Sequence, residues 1–586
     1  MTAEDLRLPP IDPVGPADAW HRVRATAARR TQHVSTRARL ALVVGATSVP
    51  LASWTARFVA GGWQPQGDEA LISIRVGDVL STDPPLMGMR STSGITAPDV
   101  WAHHPGPIDF YAFAGPHFLA GRHPAGVLVG CLLLAVAMVA VAIWNAHRAA
   151  GWSGVAAVAL VVLAMERMFG AGLVLPLNVW PPMLAFLATL VLAWRLVLGQ
   201  VGAMPAYVVC ASLAAQPHVA FGPPVGLLTA GLAVLGIYRW WARRDAIWPL
   251  RGYHRRPTRP AYRRPGWQAV AAAVVCSLPV LIETLTFDPP NVVELWRLGT
   301  TTQTIAVGAG PTWHVLAGSM VPVGRAHVGW DSLVVGGVRQ GVAAVLLVVA
   351  LAAVVQPWRR FVRRPARDGA LRVGLAVALV SLVPIWRVGT GMAERSQLIY
   401  LCILAAAPLL VTSLTIAWVG LTAAHHLRQS PLVVGAPVGV LAAIALAVTP
   451  LTGFAHLMQD RYDGDVARAD RIVTAVAAAL DAPARRGRPV VVESYGLVPW
   501  ASVGPALQER LLRDGRPVYF DTLWAHRQDE DQRRIEYAPD SALRVLLREL
   551  PPGGKWSHDA APDPAYTRVF AEDTPQGRHL VEVAIT

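Results

Sequence analysis

Apolar runs separated by short arginine-bearing segments fill the first 450 positions of the chain. They fall at 39–58, 124–146, 153–169, 179–198, 202–216, 223–240, 266–286, 337–356, 371–387, 397–420 and 431–449. A helix needs about 20 apolar residues to cross a ~30 Å hydrocarbon core. The pattern therefore predicts an α-helical polytopic membrane protein with about eleven transmembrane helices over 39–449, preceded by an arginine-rich segment at 1–38. The pattern lapses in three long stretches, 59–123, 287–336 and 450–586. Connections of that length are usually functional or disordered.

In the last stretch the periodicity changes. Asp465 to Leu480 predicts an amphipathic helix, Arg488 to Glu493 a strand, Pro505 to Arg513 a helix and Arg516 to Phe520 a strand. Arg544 to Leu550 is expected as a helix, and Arg568–Phe570 and Leu580–Val583 as strands. Alternating strands and helices imply a small α/β domain at 450–586. It holds neither a phosphate-binding glycine loop nor a nucleophile elbow.

Composition agrees with the membrane assignment. The chain is 53% hydrophobic and 15% charged, against about a quarter charged in soluble domains. Its net charge of +14 would suit a nucleic-acid partner, but the arginines lie in short segments between apolar runs. Residues 1–38, 241–265, 357–370 and 421–430 carry them and, if the runs alternate across the bilayer, fall on one side. The positive-inside rule makes that side the cytoplasm. The expectation is thus a multi-pass plasma-membrane protein with a cytoplasmic N-terminus, an extracytoplasmic C-terminal domain and no nucleic-acid partner. Cys131, Cys210, Cys276 and Cys402 all lie in apolar runs, so the C-terminal domain has no disulfide. The first run reads as a retained helix and not as a cleaved signal.

Candidate chemistry concentrates in 59–123. Gly67-Asp68-Glu69-Ala70 follows the first run, and Leu71 to Leu80 has helical spacing, suggesting a short helix along the membrane surface with two acids at its start. His103-His104-Pro105-Gly106-Pro107-Ile108-Asp109-Phe110-Tyr111 comes later. Plain structural roles are open to each group. Asp68 could cap a helix, Glu69 could be a solvated charge, and the histidines ordinary loop residues. Arg75 could pair with Asp78, Arg395 with Glu394, and Glu166 with Arg167. Glu283 could close a helix end. Trp500 and Trp524 could pack the C-terminal core or stack on a glycan. The spacing of Glu69, His103 and His104 does not specify a metal site.

In combination, these segments resemble the membrane glycosyltransferases of the GT-C superfamily, of the protein O-mannosyltransferase, aminoarabinose transferase and arabinofuranosyltransferase type. The Asp-Glu pair after the first helix and the Pro-containing turn before an aromatic carry the likeness, with His104 where the family has lysine. Pro176–Pro182, Gln216–Val219 and Leu278–Trp296 resemble actinobacterial members. The resemblance implies a sugar donor on polyprenyl phosphate and an acceptor hydroxyl on a glycan, lipid or protein outside the membrane. Arabinofuranose is the first candidate sugar and mannose the next, and a divalent cation is left open. It implies Asp68 as general base, assisted by Glu69 or with Glu69 on a sugar hydroxyl. Arg75, His104 and Arg395 would meet the donor phosphate. His103, Tyr111, Glu166, His218, Glu283 and Asp288 would line the cavity or acceptor side. Two rivals stay open: a transporter or lipid flippase, and a non-catalytic subunit on the same scaffold. Transporters favour midplane charges and internal repeats, whereas here the charges lie at helix ends and no repeat is visible.

Overall fold

The computed structural model describes residues 16–91, 99–242, 260–301, 306–322, 327–329, 332–334, 336–356, 366–392, 399–426, 466–495, 503–520, 528–550, 566–573 and 580–586. Residues 1–46 form one compact unit and 47–586 the other. Helix α1 (Pro16–Ala60) begins in the first unit, and its apolar part is Ser35–Ala60. The second unit continues through α2 (Asp68–Asp78), α3 (Ile108–Leu119), α4 (Ala125–Ala150), α5 (Trp152–Phe169), α6 (Pro181–Val197), α7 (Met204–Ala215) and α8 (Gly222–Ala242). It then adds α9 (Pro260–Thr286), α10 (Asn291–Thr301), α11 (Ala309–Met320), α12 (Gly337–Val355), α13 (Ala366–Thr390), α14 (Ile399–Cys402) and α15 (Ala406–His426).

Eight helices among the described residues are long and apolar enough to cross a membrane: α1, α4, α5, α8, α9, α12, α13 and α15. Helices α6 and α7 are apolar but shorter. The expected run at 431–449 and most of the basic segments lie outside the described residues. Pro181 and Pro182 open α6, where a missing N–H costs nothing.

Burial separates the helices into two kinds. Helix α6 is apolar all round and is wrapped by α4, α7, α8, α13 and α15, as expected for a central helix. Its Trp194 donates from Nε1 to the Ala370 carbonyl at 2.7 Å, and Gly374 lets the ring lie against α13. Helices α9 and α12 instead expose Trp267, Val274, Leu285, Val345 and Val355. Surfaces this apolar face lipid, and the chain is a multi-pass membrane protein.

Two expectations change. Helix α2 was expected along the membrane surface, yet Glu69 to Val76 are buried by protein. The 287–336 stretch is not a bare loop, since it holds α10, α11 and a hairpin of β1 (His327–Gly329) and β2 (Ser332–Val334).

The C-terminal part comprises α16 (Val466–Leu480), β3 (Val490–Tyr495), α17 (Gly504–Arg513), β4 (Val518–Phe520), β5 (Leu543–Leu550), β6 (Thr567–Asp573) and β7 (Leu580–Ile585). The sheet order is β4-β3-β5-β7-β6; β3 runs parallel to β4 and β5, and β7 antiparallel to β5 and β6. Ile472, Val476 and Leu480 of α16 and Leu507 and Leu511 of α17 share one core with Val490, Val492, Leu543, Val545 and Leu547. Residues 544–550 are thus the central strand and not the expected helix. Leucine and arginine favour helix, but Leu543, Val545 and Leu547 alternate inward, and the period-two burial prevails over propensity.

Candidate active site

Helix α2 begins at a backbone kink. Gly67 has φ 49°, a left-handed value open to glycine, and it turns the chain into the helix. From residue 63 to residue 76 every side chain is buried except that of Asp68, which is half-buried at the first helical position. Glu69 beside it is buried. Acidic groups at this end are favoured by the helix dipole. Apolar side chains of α2, Leu71, Ile72 and Ile74, pack on Phe110 and Phe113 of α3 and on Cys131 of α4. Asp109, at the start of α3, is also buried, and burial pushes its carboxyl up to about 7 against the opposing pull of the Asp109 and Phe110 amides.

The histidine turn is pinned from three directions. His104 N–H donates to the Met89 carbonyl at 2.8 Å, and Gly88 N–H to the His104 carbonyl at 3.2 Å. Asn291, the first residue of α10, accepts the His103 N–H at 2.8 Å and donates to both histidine carbonyls at 3.3 Å. Glu283 in turn accepts the Asn291 N–H at 2.6 Å, closing the α9–α10 junction. Gly106 N–H donates to the Gln216 carbonyl at 3.0 Å, so the turn sits against the end of α7.

The two imidazoles of the turn differ. His103 Nδ1 lies 2.8 Å from the Gly88 carbonyl, and its Nε2 3.8 Å from Asp529. The His104 ring stacks on His218 with centroids 4.5 Å apart. Val219 N–H donates to His104 Nδ1 at 3.3 Å, and Ala220 N–H to His218 Nδ1 at 3.2 Å. Burial pushes His104 well below the ordinary histidine value, with His218 and His103 adding to it. Burial pushes His218 down to about 3.

A buried ion network joins α2 to the C-terminal part of the chain. Arg75 donates to Asp78 and to Asp529, each at 3.0 Å. Arg533 grips Asp78 through both terminal nitrogens at 2.6 and 2.5 Å, the bidentate geometry that makes such pairs strong. Arg90 meets Glu530 at 2.5 Å. Burial alone would raise the Glu530 carboxyl, but Arg90, Arg75 and Arg533 outweigh it and hold it below the usual carboxylate range. Helix α17 lies on α2, with Leu512 against its apolar cluster. The described C-terminal residues and the 59–91 stretch therefore lie at the same end of the helices.

The remaining expected residues are scattered. Tyr111 donates its hydroxyl to the Pro85 carbonyl at 3.0 Å. The Asp288 N–H donates to Gln528 Oε1 at 3.1 Å. Glu166 is buried in α5 with no partner to either carboxylate oxygen among the described residues, and it does not pair with Arg167. Arg395, Trp500 and Trp524 lie outside the described residues. Among the described residues no three His, Cys, Asp or Glu side chains form a metal-binding group. Sequence reasoning missed Arg90, Asn291, Asp529, Glu530 and Arg533, whose partners are distant in the chain.

No protein-family model matches the chain, and no curated protein does. Among solved structures it is similar to ArnT from Cupriavidus metallidurans bound to undecaprenyl phosphate, with a TM-score of 0.48 and 14% identity over 91% of this chain and 98% of that chain. It is also similar to the apo state of the same protein, with a TM-score of 0.48 and 14% identity over 95% of this chain and 98% of that one.

Proposed function

We propose that the protein transfers a sugar from a polyprenyl-phosphate donor to an acceptor hydroxyl at the outer face of the membrane. One observation carries this reading: between residues 63 and 76 only the Asp68 side chain is more than marginally accessible, and it follows a membrane helix directly. An acceptor hydroxyl is a weak nucleophile and needs a base as the new bond forms. In the proposed step the acceptor oxygen bonds to the anomeric carbon and its proton passes to Asp68. The bond from that carbon to the phosphate oxygen breaks, and polyprenyl phosphate leaves. Glu69, being buried, shapes the start of α2.

The arginine-rich segments support the outer placement, because alternation of the apolar runs expected from the sequence would set them on the side opposite 59–123 and 450–586. The sequence resemblance puts forward arabinofuranose and mannose as sugars and a cell-envelope glycan, lipid or protein as acceptor. The test is sugar transfer by the purified protein in nanodiscs, given decaprenyl-phosphate-linked [14C]arabinofuranose or [14C]mannose with envelope extract. Asp68→Asn is expected to fold, insert and lose transfer by about 10²–10⁴-fold. Unchanged transfer by that variant removes Asp68 from the reaction.

A further inference from the structure

A backbone amide can only donate a hydrogen bond. Because Val219 N–H points at His104 Nδ1, that nitrogen presents its lone pair, and the ring proton is on Nε2. The same holds for His218, whose Nδ1 accepts from Ala220 N–H. Protonating either ring at Nδ1 would set two N–H groups against each other and break the contact that orients the ring. Protonating both would add charge repulsion across a 4.5 Å stack. The amides come from one short turn, Val219–Phe221, so a single piece of backbone sets both tautomers. His104 is 6% exposed, and its Nε2–H has no partner among the described residues.

We infer that His104 meets its ligand as a neutral imidazole and donates Nε2–H to a phosphate oxygen of the lipid donor. This deepens the sugar-transfer reading and rests on it for the identity of the ligand. The charged and titratable groups around the ring are His218 on its face, His103 beside it, Asp529 beyond His103, and Glu283 behind Asn291. The two carboxylates are engaged on the far side of the turn, where His103 and Asn291 intervene, so neither draws a proton onto His104. A neutral imidazole held by backbone amides can polarise an oxyanion without carrying charge. The turn thus does by a directed hydrogen bond what an ammonium would do by charge. The departing phosphate then draws its binding from geometry that stays the same across the physiological pH range.

Burial supports the assignment, since it disfavours the charged ring. The experiment is the affinity of undecaprenyl monophosphate for the protein in phosphatidylcholine nanodiscs, measured from pH 5.5 to 8 for wild type and His104→Gln. Gln carries a neutral N–H near the place of Nε2. The lipid's own second ionisation is common to both proteins and cancels in their ratio. Because Gln keeps a neutral donor, the expected ratio stays within about twofold at every pH, and the loss of about fivefold, the size of one neutral hydrogen bond, belongs to His104→Ala. A ratio that climbs about tenfold or more as pH falls through 6.5 would show an imidazolium and overturn the inference.

His104→Ala is expected to bind more weakly than His104→Gln, and equal binding counts against a donated hydrogen bond. Phosphatidylglycerol added in place of the polyprenyl lipid is expected to show no dependence on His104. A matching dependence would assign the site to bilayer headgroups and overturn the donor assignment. Failure of the parent reading looks different. There Asp68→Asn transfers sugar normally while the His104 ratio stays flat. Failure of this inference alone gives an inactive Asp68→Asn with a pH-dependent ratio.

Discussion

Two buried polar regions meet along the 59–123 segment and solve the same physical problem in opposite ways. Around α2, Arg75, Asp78, Arg90, Asp529, Glu530 and Arg533 keep their charges and pair them. Around the turn at 103–106, His104 and His218 give up charge and stack as neutral rings. Leaving water is costly for a charge, and a protein avoids the cost either by pairing it with good geometry or by discharging it. The first solution suits a joint between two parts of a chain, because it fails if either part moves away. The second suits a surface that must accept a ligand's charge, because it leaves a donor uncommitted. His103 stands between the two regions, with one nitrogen at a backbone carbonyl and the other 3.8 Å from Asp529.

The sharpest way to break the charged side is Asp78→Ala. It strips a partner from Arg75 and the bidentate partner from Arg533 at once. Removing one member of a buried pair typically costs about 3–5 kcal/mol because a charge is left stranded. Thermal unfolding in detergent should fall accordingly, and proteolysis should begin in the C-terminal domain. Little change in either would mean that the joint is held by the α17–α2 apolar contact instead.

A milder probe is Glu530→Gln, which keeps shape and loses charge. Its expected cost is about 2–3 kcal/mol, the range for a hydrogen bond to a charged group. Because the arginines hold the Glu530 carboxyl low in the folded protein, its stabilisation is present above the unfolded value and is lost as pH falls through the folded one. Wild type should therefore shed stability on acidification below about pH 4.3, and Glu530→Gln should shed less. Identical acid limbs in the two proteins would show that other carboxylates govern the joint.

How much of this was legible in the sequence depends on chain separation. Helix α2, its acidic start and the Arg75–Asp78 pair are local features, and helical spacing exposed them. Nine of the expected apolar runs are helices for the same reason, and a tenth, 397–420, is broken between α14 and α15. The pairs Arg75–Asp529 and Arg90–Glu530 join residues 454 and 440 positions apart. No periodicity encodes such a contact, and it arises only when α17 settles on α2. His104 and His218 were each legible as unusual polar residues, but their partnership spans two helices and a backbone turn. Strand β5 was misread because its leucines and arginines favour helix locally, whereas its place between β3 and β7 is decided by the whole sheet.

The neutral side of the comparison is broken most gently at Gly106. A Cβ there would lie 2.5 Å from Gln216 Oε1 and 2.7 Å from a Val280 methyl. The Gln216 side chain cannot swing clear without cost, because its Nε2 donates to the Cys276 carbonyl at 2.8 Å. Gly106→Ala should therefore push the turn away from the end of α7, at about 1–2 kcal/mol of overpacking. That displacement lifts His104 off His218 and off the Val219 amide, while the ion network, on the other side of His103, stays intact. The variant should thus lose undecaprenyl phosphate affinity and gain a pH dependence near the ordinary histidine value, with an unchanged acid limb of unfolding. If stability falls with no such change in lipid binding, the stack and the amide do not set the charge state of His104, and the contrast between the two regions loses its physical basis.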